Sequence, residues 1–234
     1  MAHGPPPSPT LPAEPLPELA AVPWRPRAGA CSLARRERLW TMTTVAHVAP
    51  FVATALVLAL LDAVLIPASV IALAFAWAIP ELYAARGAGV LRPRRRPVGA
   101  ADGPERRALG LLADLVGHEA RRTLIDTGYV IEPGRLGVWV LGEAGAVLVR
   151  PGGHRIQCLC VRVEDPELPP ADRIAHLLLA LRADEPGFVT VANLAFAGAP
   201  WRLVRRLPGP ARRAVRAARA AARLQSQSWH RIFN

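Results

Sequence analysis

The chain has 234 residues, a formal net charge of +11 and three cysteines. This length allows one membrane-spanning region and one small domain. Three cysteines are too few for the disulfide framework that stabilises small secreted proteins, so that class is excluded. All 29 residues that carry a permanent positive charge are arginine. This bias indicates GC-rich coding rather than selection for guanidinium chemistry, and without lysine the phosphate-binding motif Gly-x-x-x-x-Gly-Lys is excluded.

Residues 1–38 are predicted to form a disordered, Pro-rich cytoplasmic tail. Nine prolines lie within the first 26 residues, and large apolar side chains are few. Such a composition cannot bury enough apolar surface to offset the entropy lost on ordering. A plain solvated tail is favoured, and a Pro-rich ligand for a partner protein is the alternative.

Residues 39–85 are predicted to form a transmembrane hairpin. This stretch holds 47 residues and no arginine. It is too long for one span of ~20 residues and suits two, which we place at 40–60 and 67–85. Arginines cluster on both sides of the stretch, and basic flanks favour the cytoplasmic side. The sequence therefore predicts a multi-pass plasma-membrane protein with both termini in the cytoplasm.

Two ionisable residues lie inside the predicted spans, His47 in the first and Glu81 in the second. In a hairpin their depths nearly match, so they are candidates for an intramembrane polar pair. Ionisable groups are costly in lipid and often mark a functional site, which here would be proton-linked. A single packing-specific hydrogen bond, or a Glu81 side chain that reaches the interface, is the favoured interpretation.

Arginines beside the predicted spans are expected to face the anionic lipids of the inner leaflet, with each contributing about 1 kcal/mol near the surface. Many of them lie in a basic linker predicted at 86–104. The residues assigned to the membrane surface are Arg35, Arg36, Arg38, Arg92, Arg94, Arg95, Arg96, Arg212, Arg216, Arg219 and Arg223.

Residues 105–207 are predicted to form a small cytoplasmic α+β domain with the element order αββββαβ. Apolar residues at helical spacing between 108 and 116 predict the first helix, and Pro169-Pro170 begins the second. Residues 142–145 are predicted to be the turn of a β-hairpin. The predicted strands are 129–131, 137–141, 146–149, 156–163 and 189–196.

The charge is unevenly distributed along the chain. Residues 108–199 contain eight arginines and eleven carboxylates, whereas 200–234 contain nine arginines and no carboxylate. The predicted domain is therefore mildly acidic, and nucleic acid is not expected as a partner. Residues 208–234 are predicted to form a basic helix and an aromatic tail. The face opposite its arginines is mostly alanine, so weak contact with a membrane surface and an ordinary solvated helix both remain open.

No catalytic residue, cofactor or metal is predicted. Residues 104–207 contain no serine, which excludes a serine nucleophile there. Cys158 and Cys160 would share one strand face, and with His154 or His176 they would resemble part of a zinc site. Because no second cysteine cluster is present, buried cysteines that pack as small apolar groups are favoured.

One family resemblance is carried by 117–122, which close a helix, and by the hairpin sequence 136–149. Together they resemble the nuclease-related (NERD-type) domain, which has a restriction-endonuclease-like αβββαβ core. In that family, an Asp on the first hairpin strand and a Glu-x-Lys on the second hold a divalent metal that activates water. Here those positions are Gly137 and 150–152, Arg-Pro-Gly, and only Glu119 persists. The resemblance therefore implies that the metal site and nuclease activity are lost.

These observations predict a bacterial, non-enzymatic integral membrane protein. A two-helix hairpin would anchor a cytoplasmic α+β domain that serves in protein interaction or regulation. Its expected partners are the lipid bilayer, anionic inner-leaflet lipids and a protein that the sequence does not identify. The alternatives are a membrane-tethered nucleic-acid-binding or catalytically dead nuclease-like domain, and an accessory subunit of a transporter or envelope complex.

Overall fold

The computed structural model describes residues 27–92, 102–161 and 167–233. Two long helices come first, α1 at Ala30–Leu61 and α2 at Ile66–Gly89. A 3₁₀ turn, Ala63–Leu65, joins them, and the Asp62 carboxylate caps this turn by accepting a hydrogen bond from the Val64 N–H at 3.0 Å. Both helices are long and apolar enough to cross a membrane.

An antiparallel sheet of five strands follows, and the strands lie side by side in chain order. They are β1 Val130–Pro133, β2 Val138–Gly142, β3 Gly145–Val149, β4 Ile156–Cys160 and β5 Asn193–Gly198. Strands β2 and β3 are buried along their whole length, as their Val- and Leu-rich sequences favour. Gly142 pairs with Gly145 across the turn, so β2 and β3 form the predicted hairpin.

The domain's helices cover both faces of the sheet. They are α3 Asp102–Leu115, α4 His118–Thr127, α5 Pro170–Ala183, α6 Glu185–Val191, α7 Pro200–Val204 and α8 Gly209–Phe233. One face forms a core with α3, α5, α6 and the start of α1. The other face packs against the end of α2, α7 and α8. Two long apolar helices followed by a small domain of helices and strands agree with the prediction, although its first helix is divided into α3 and α4.

The last strand begins later than predicted. Residues 185–191 form helix α6, and β5 starts only at Asn193 rather than at residue 189. The Asp184 carboxylate caps α6 by accepting a hydrogen bond from the Gly187 N–H at 3.0 Å. This N-cap, together with a proline in the first turn, outweighs the β propensity of the apolar residues that follow.

Helix α1 starts inside the domain, which corrects the prediction of a disordered tail at 1–38 for residues 27–38. Ala28 and Leu33 are buried in the core on one face of the sheet. At a rise of about 1.5 Å per residue, the 32 residues of α1 measure about 48 Å. A helix that crosses a hydrocarbon core of about 30 Å can be shorter than this. The remaining length of α1 packs on the domain. Residues 1–26 lie outside the described part of the chain.

The end of α2 also belongs to the domain, so the basic linker predicted for 86–104 is shorter than expected. Gly87, Ala88 and Leu91 are buried on the other face of the sheet. The Tyr129 hydroxyl donates a hydrogen bond to the Leu91 carbonyl and ties this segment to the start of β1. Helix α3 already begins at Asp102. Residues 93–101 lie outside the described part of the chain.

Helix α8 is a structural layer of the domain, which corrects the boundary predicted at 207. Its apolar face is buried against the sheet through Ala211, Ala214, Val215, Ala218 and Ala222. Small side chains let a helix approach β2 and β3 closely, and the face they occupy is therefore closed to a membrane surface. With α8 included, 108–234 contain seventeen arginines against eleven carboxylates. The folded domain is basic, not mildly acidic.

Candidate functional site

Both long helices meet the domain at β5, an edge strand of the sheet. Trp40 of α1 packs edge-on against Tyr83 of α2 and Phe196 of β5, with ring centroids 5.6 and 6.4 Å away. Covering the edge strand with two helices also blocks pairing with strands of other molecules. We call this region, comprising 30–40 of α1, 81–89 of α2, β5 and α7, the junction.

Glu81 is the charged centre of the junction. It is only 6% exposed and forms ion pairs with Arg205 and Arg206, one guanidinium to each carboxylate oxygen. A buried carboxylate is costly unless it is paired and hydrogen-bonded, and two arginines satisfy both oxygens. Because the two arginines come from the segment just after α7, these ion pairs attach α7 to α2.

The predicted pair of His47 and Glu81 is not formed. The His47 Nδ1 lies 2.7 Å from the Thr43 carbonyl, one turn earlier in α1, and 3.5 Å from the Tyr83 hydroxyl. Glu81 instead faces α7. The prediction failed because depth in a hairpin does not determine which way a side chain points around its helix. The sequence carries no specific signal for the correct partners, because adjacent arginines like those at 205–206 occur at several other places in the chain.

Helix α7 presents an aromatic residue between two cations. Pro200 occupies its first turn, where the missing N–H is tolerated. Trp201 is 53% exposed, and the guanidinium carbons of Arg202 and Arg205 lie 5.1 and 5.0 Å from the centroid of its ring. Both distances lie within the range of cation–π attraction. Sequence reasoning did not select any of these residues, because a five-residue helix has no usable periodicity.

The start of α1 is bound to β4 by a buried polar contact. The Gln157 Nε2 donates hydrogen bonds to the Leu33 carbonyl and to the Glu37 Oε1, both at 3.1 Å. The Arg150 Nε lies 3.9 Å from the same carboxylate oxygen. Glu37 therefore joins α1 to β4 and to the end of β3. This structural role explains the presence of a carboxylate within the basic cluster at 35–38.

A second group of contacts joins the start of α1 to α6. The Ala28 N–H donates to the Thr190 hydroxyl at 2.9 Å, and Arg27 forms an ion pair with Asp184. Burial alone would raise the pKa of the Asp184 carboxyl, but the Gly187 N–H and the Arg27 guanidinium together lower it below its usual value. The ionised Asp184 carboxylate therefore stabilises the fold at neutral pH, and this stabilisation is lost as the pH falls through the lowered pKa.

The arginines predicted to face lipid have different environments. Arg35 and Arg38 are exposed on α1, whereas Arg36 is half-buried and donates to the Val189 carbonyl at 3.3 Å. Arg92 is exposed just after α2. Arg94, Arg95 and Arg96 lie outside the described residues.

On α8, the predicted arginines flank the buried alanine face, and Arg212 and Arg219 are half-buried. Arg219 donates to the Gly153 carbonyl at 3.1 Å, and Arg212 donates to the Leu207 carbonyl at the same distance. Burial, together with the like charges of Arg223 and Arg216, lowers the pKa of Arg219. The four side chains therefore form a basic stripe on the domain surface, and two of them fix neighbouring turns.

Glu185 is the other buried carboxylate of the domain among the described residues. It accepts hydrogen bonds from the backbone N–H of Arg135 and of Leu136, and from the Trp139 Nε1 at 2.6 Å. A carboxylate that receives three N–H donors fixes the loop between β1 and β2. We assign it a structural role.

The cysteines do not form a cluster. Cys158 is buried at the contact with α2, and burial raises the pKa of its thiol. Cys160, two residues further along β4, is exposed, as is Cys31 at the start of α1. Within the described residues, no group of three or more His, Cys, Asp or Glu side chains is arranged to hold a metal ion.

We expect Cys31 and Cys160 to react with a maleimide near neutral pH and Cys158 to react only after unfolding, because the thiolate is the reactive form and burial disfavours it. Mass spectrometry of the intact protein should therefore show two adducts in the native state and three in denaturant. Rapid native labelling of Cys158 would contradict the packing of α2 on β4.

In the hairpin that resembles the nuclease-related family, the backbone at residue 137, just before β2, accommodates only glycine. Gly137 has a φ of 149°, and a Cβ built there would lie 2.2 Å from the Val149 carbonyl oxygen. An aspartate at this position is therefore excluded by this backbone. Glu119 lies exposed in the first turn of α4.

A cavity of about 450 Å³ lies between the end of α2 and helices α3, α4 and α5. Its lining is mainly apolar and includes Leu112, Leu124 and Ile174. Burial, with a smaller effect of Glu143, raises the pKa of Tyr129 in its wall to about 12. Tyr129 therefore stays protonated further into the alkaline range than an ordinary tyrosine, and it donates a hydrogen bond to the Leu91 carbonyl after α2.

No family model, curated protein or solved structure matches this chain. The junction is therefore interpreted from its own geometry and chemistry.

Proposed function

We propose that the chain is an integral protein of the plasma membrane, in which α1 and α2 anchor the domain on the cytoplasmic side as a non-enzymatic interaction or regulatory module. The observation that carries this proposal is the exposed apolar surface of the two helices. Only 6% of the most apolar stretch of 18 residues in α1, and 11% of that in α2, is buried within the protein. A core helix of a soluble protein would be mostly buried.

The side chains in this exposed surface are large. Leu60, Leu61 and Trp77 are 78%, 69% and 68% exposed, respectively. Burying one such side chain away from water contributes roughly 1.5–3 kcal/mol, so a continuous surface of them is strongly unfavourable in water and favourable in lipid. The arginine-free stretch of 47 residues has basic residues on both sides, which supports an orientation with both termini in the cytoplasm.

The continuity of both helices with the domain supports the role of an anchored module. Leu33 of α1 and Ala88 of α2 are buried in the two cores of the domain, on opposite faces of the sheet. Because α1 enters the domain as a continuous helix, motion or association of the helices would be transmitted directly to the sheet. This arrangement suits a domain whose position relative to the bilayer matters for a partner.

Extraction and reporter fusions test the proposal. We expect the full chain to remain in the membrane pellet after carbonate washing and to be released by detergent, because the two apolar helices are solvated by lipid. Reporters fused at Pro5 and at Asn234 should both report the cytoplasm. Release by carbonate alone, or an external signal from either terminus, would contradict the proposal.

A membrane-tethered nucleic-acid-binding domain is the second candidate, and the basic stripe of α8 favours it. The folded domain carries more arginines than carboxylates once α8 is included. Binding through such a stripe would weaken steeply with salt, because phosphate contacts release counterions. Nucleic-acid affinity that falls steeply with salt concentration, and that is lost on replacing Arg216 and Arg223 by glutamine, would favour this candidate over the interaction module.

A further inference from the structure

We propose that α7 lies in the headgroup layer of the bilayer and that Trp201, Arg202 and Arg205 bind the phosphate of an anionic phospholipid. The inference rests on the proposed membrane anchorage and adds a specific lipid site to it.

The depth of α7 comes from its attachment to α2. Glu81, which forms ion pairs with Arg205 and Arg206, lies four residues before the end of the predicted second span. At about 1.5 Å per residue, this is about 6 Å from the end of the span. A short helix attached near this level lies at the boundary between the acyl chains and the headgroups, where interfacial helices are found. The exposed indole of Trp201 suits that layer, where amphipathic rings are enriched.

The charge balance at α7 leaves positive charge unneutralised. Glu81 is one carboxylate shared by Arg205 and Arg206, and residues 200–234 contain no carboxylate. Within the described residues, no carboxylate forms an ion pair with Arg202. Its guanidinium is nevertheless positioned over the Trp201 ring. A cation that is positioned but not neutralised complements an anion from outside the protein.

The geometry favours phosphate as that anion. A guanidinium presents a planar set of donors that matches two phosphate oxygens, and two guanidinium groups converge on one ring here. The neighbouring apolar surface of α2, where Leu82 is 63% exposed, would contact the acyl chains of the same lipid. A lipid satisfies both features, whereas a soluble phosphate would satisfy only the first.

Native mass spectrometry of the full chain in detergent micelles tests the site, with phosphatidylglycerol as the added lipid. We expect one molecule of this lipid to bind more tightly than phosphatidylcholine. The variant Arg202→Gln should weaken its binding by about fivefold, the effect of one guanidinium at an anionic surface. Arg202→Lys keeps the charge but loses the planar set of donors, so its affinity should lie between those of the unmodified chain and Arg202→Gln, which separates the effect of charge from that of guanidinium geometry.

The matched control is Arg107→Gln, which removes the same charge from an exposed position on α3, on the other face of the sheet. It should leave the binding constant unchanged. Equal weakening by both glutamine variants, or no weakening by Arg202→Gln, would overturn the proposal. Equally tight binding of soluble glycerol phosphate would overturn the assignment to lipid. Release of the unmodified chain by carbonate would overturn membrane anchorage itself and the lipid site with it.

Discussion

Replacing Glu81 by glutamine is expected to lower the free energy of unfolding by about 2 kcal/mol, since the charge-assisted hydrogen bonds of a buried carboxylate to two arginines are lost. Glutamine has nearly the same shape, so the loss reports charge rather than volume. Glu81 is buried between Arg205 and Arg206, and the Arg206 Nε is already buried without a partner among the described residues. The variant would therefore leave two guanidinium groups at the junction without their carboxylate.

Chemical unfolding in detergent micelles, followed by near-ultraviolet circular dichroism, measures this loss. Trp139 is fully buried against Phe188 and reports the packing of the domain. The matched control is Asp114→Asn, since Asp114 forms an exposed ion pair with Arg121 at 3.8 Å. Exposed pairs contribute about 0–1 kcal/mol. Equal effects of the two variants would show that Glu81 does not attach α7 to α2.

Replacing Gly87 by alanine is expected to lower the free energy of unfolding by about 2 kcal/mol, because there is no space for a methyl group at this helix–sheet contact. A Cβ at Gly87 would lie 2.5 Å from the Phe196 Cβ and 3.3 Å from the Cys158 Sγ. The Phe196 Cβ is attached directly to the backbone of β5 and cannot rotate away. Helix α2 would have to move away from the sheet.

Gly89 supplies a control in the same helix. A Cβ at Gly89 would meet no atom within 4 Å. Alanine there should raise the free energy of unfolding by about 0.5 kcal/mol, because glycine loses more backbone entropy than alanine does on folding. The same unfolding measurement in micelles should give opposite signs for Gly87→Ala and Gly89→Ala. Stabilisation by both would contradict close packing of α2 on β5.

The net charge of the folded domain depends on α8, which local composition does not assign to the domain. Counting from 108 to 199 gives an acidic domain, and this count is correct for that segment. It misses α8, because an alanine-rich helix face gives a weak apolar signal even when Ala214 and Ala218 are completely buried. Whether such a face meets lipid, water or a sheet depends on what the rest of the chain places opposite it.

The junction was beyond sequence reasoning for the same reason. His47 and Glu81 are unusual as ionisable residues in an apolar stretch, where such groups are costly. Their partners come from different parts of the chain, a hydroxyl on α2 for His47 and two arginines after α7 for Glu81. Spacing along one helix predicts which residues share a face, but it does not predict which distant element packs on that face.

The sequence alone determined the two long apolar helices, the turn between them, the β2–β3 hairpin and most of the strand positions, because these depend on residues close together in the chain. Only the tertiary structure decided that α1 and α2 continue into the domain, that α8 is a layer of its core, and that Glu81 pairs with Arg205 and Arg206. Each of these contacts joins residues that are distant in sequence, where the shape and charge of the folded partner surface decide the pairing.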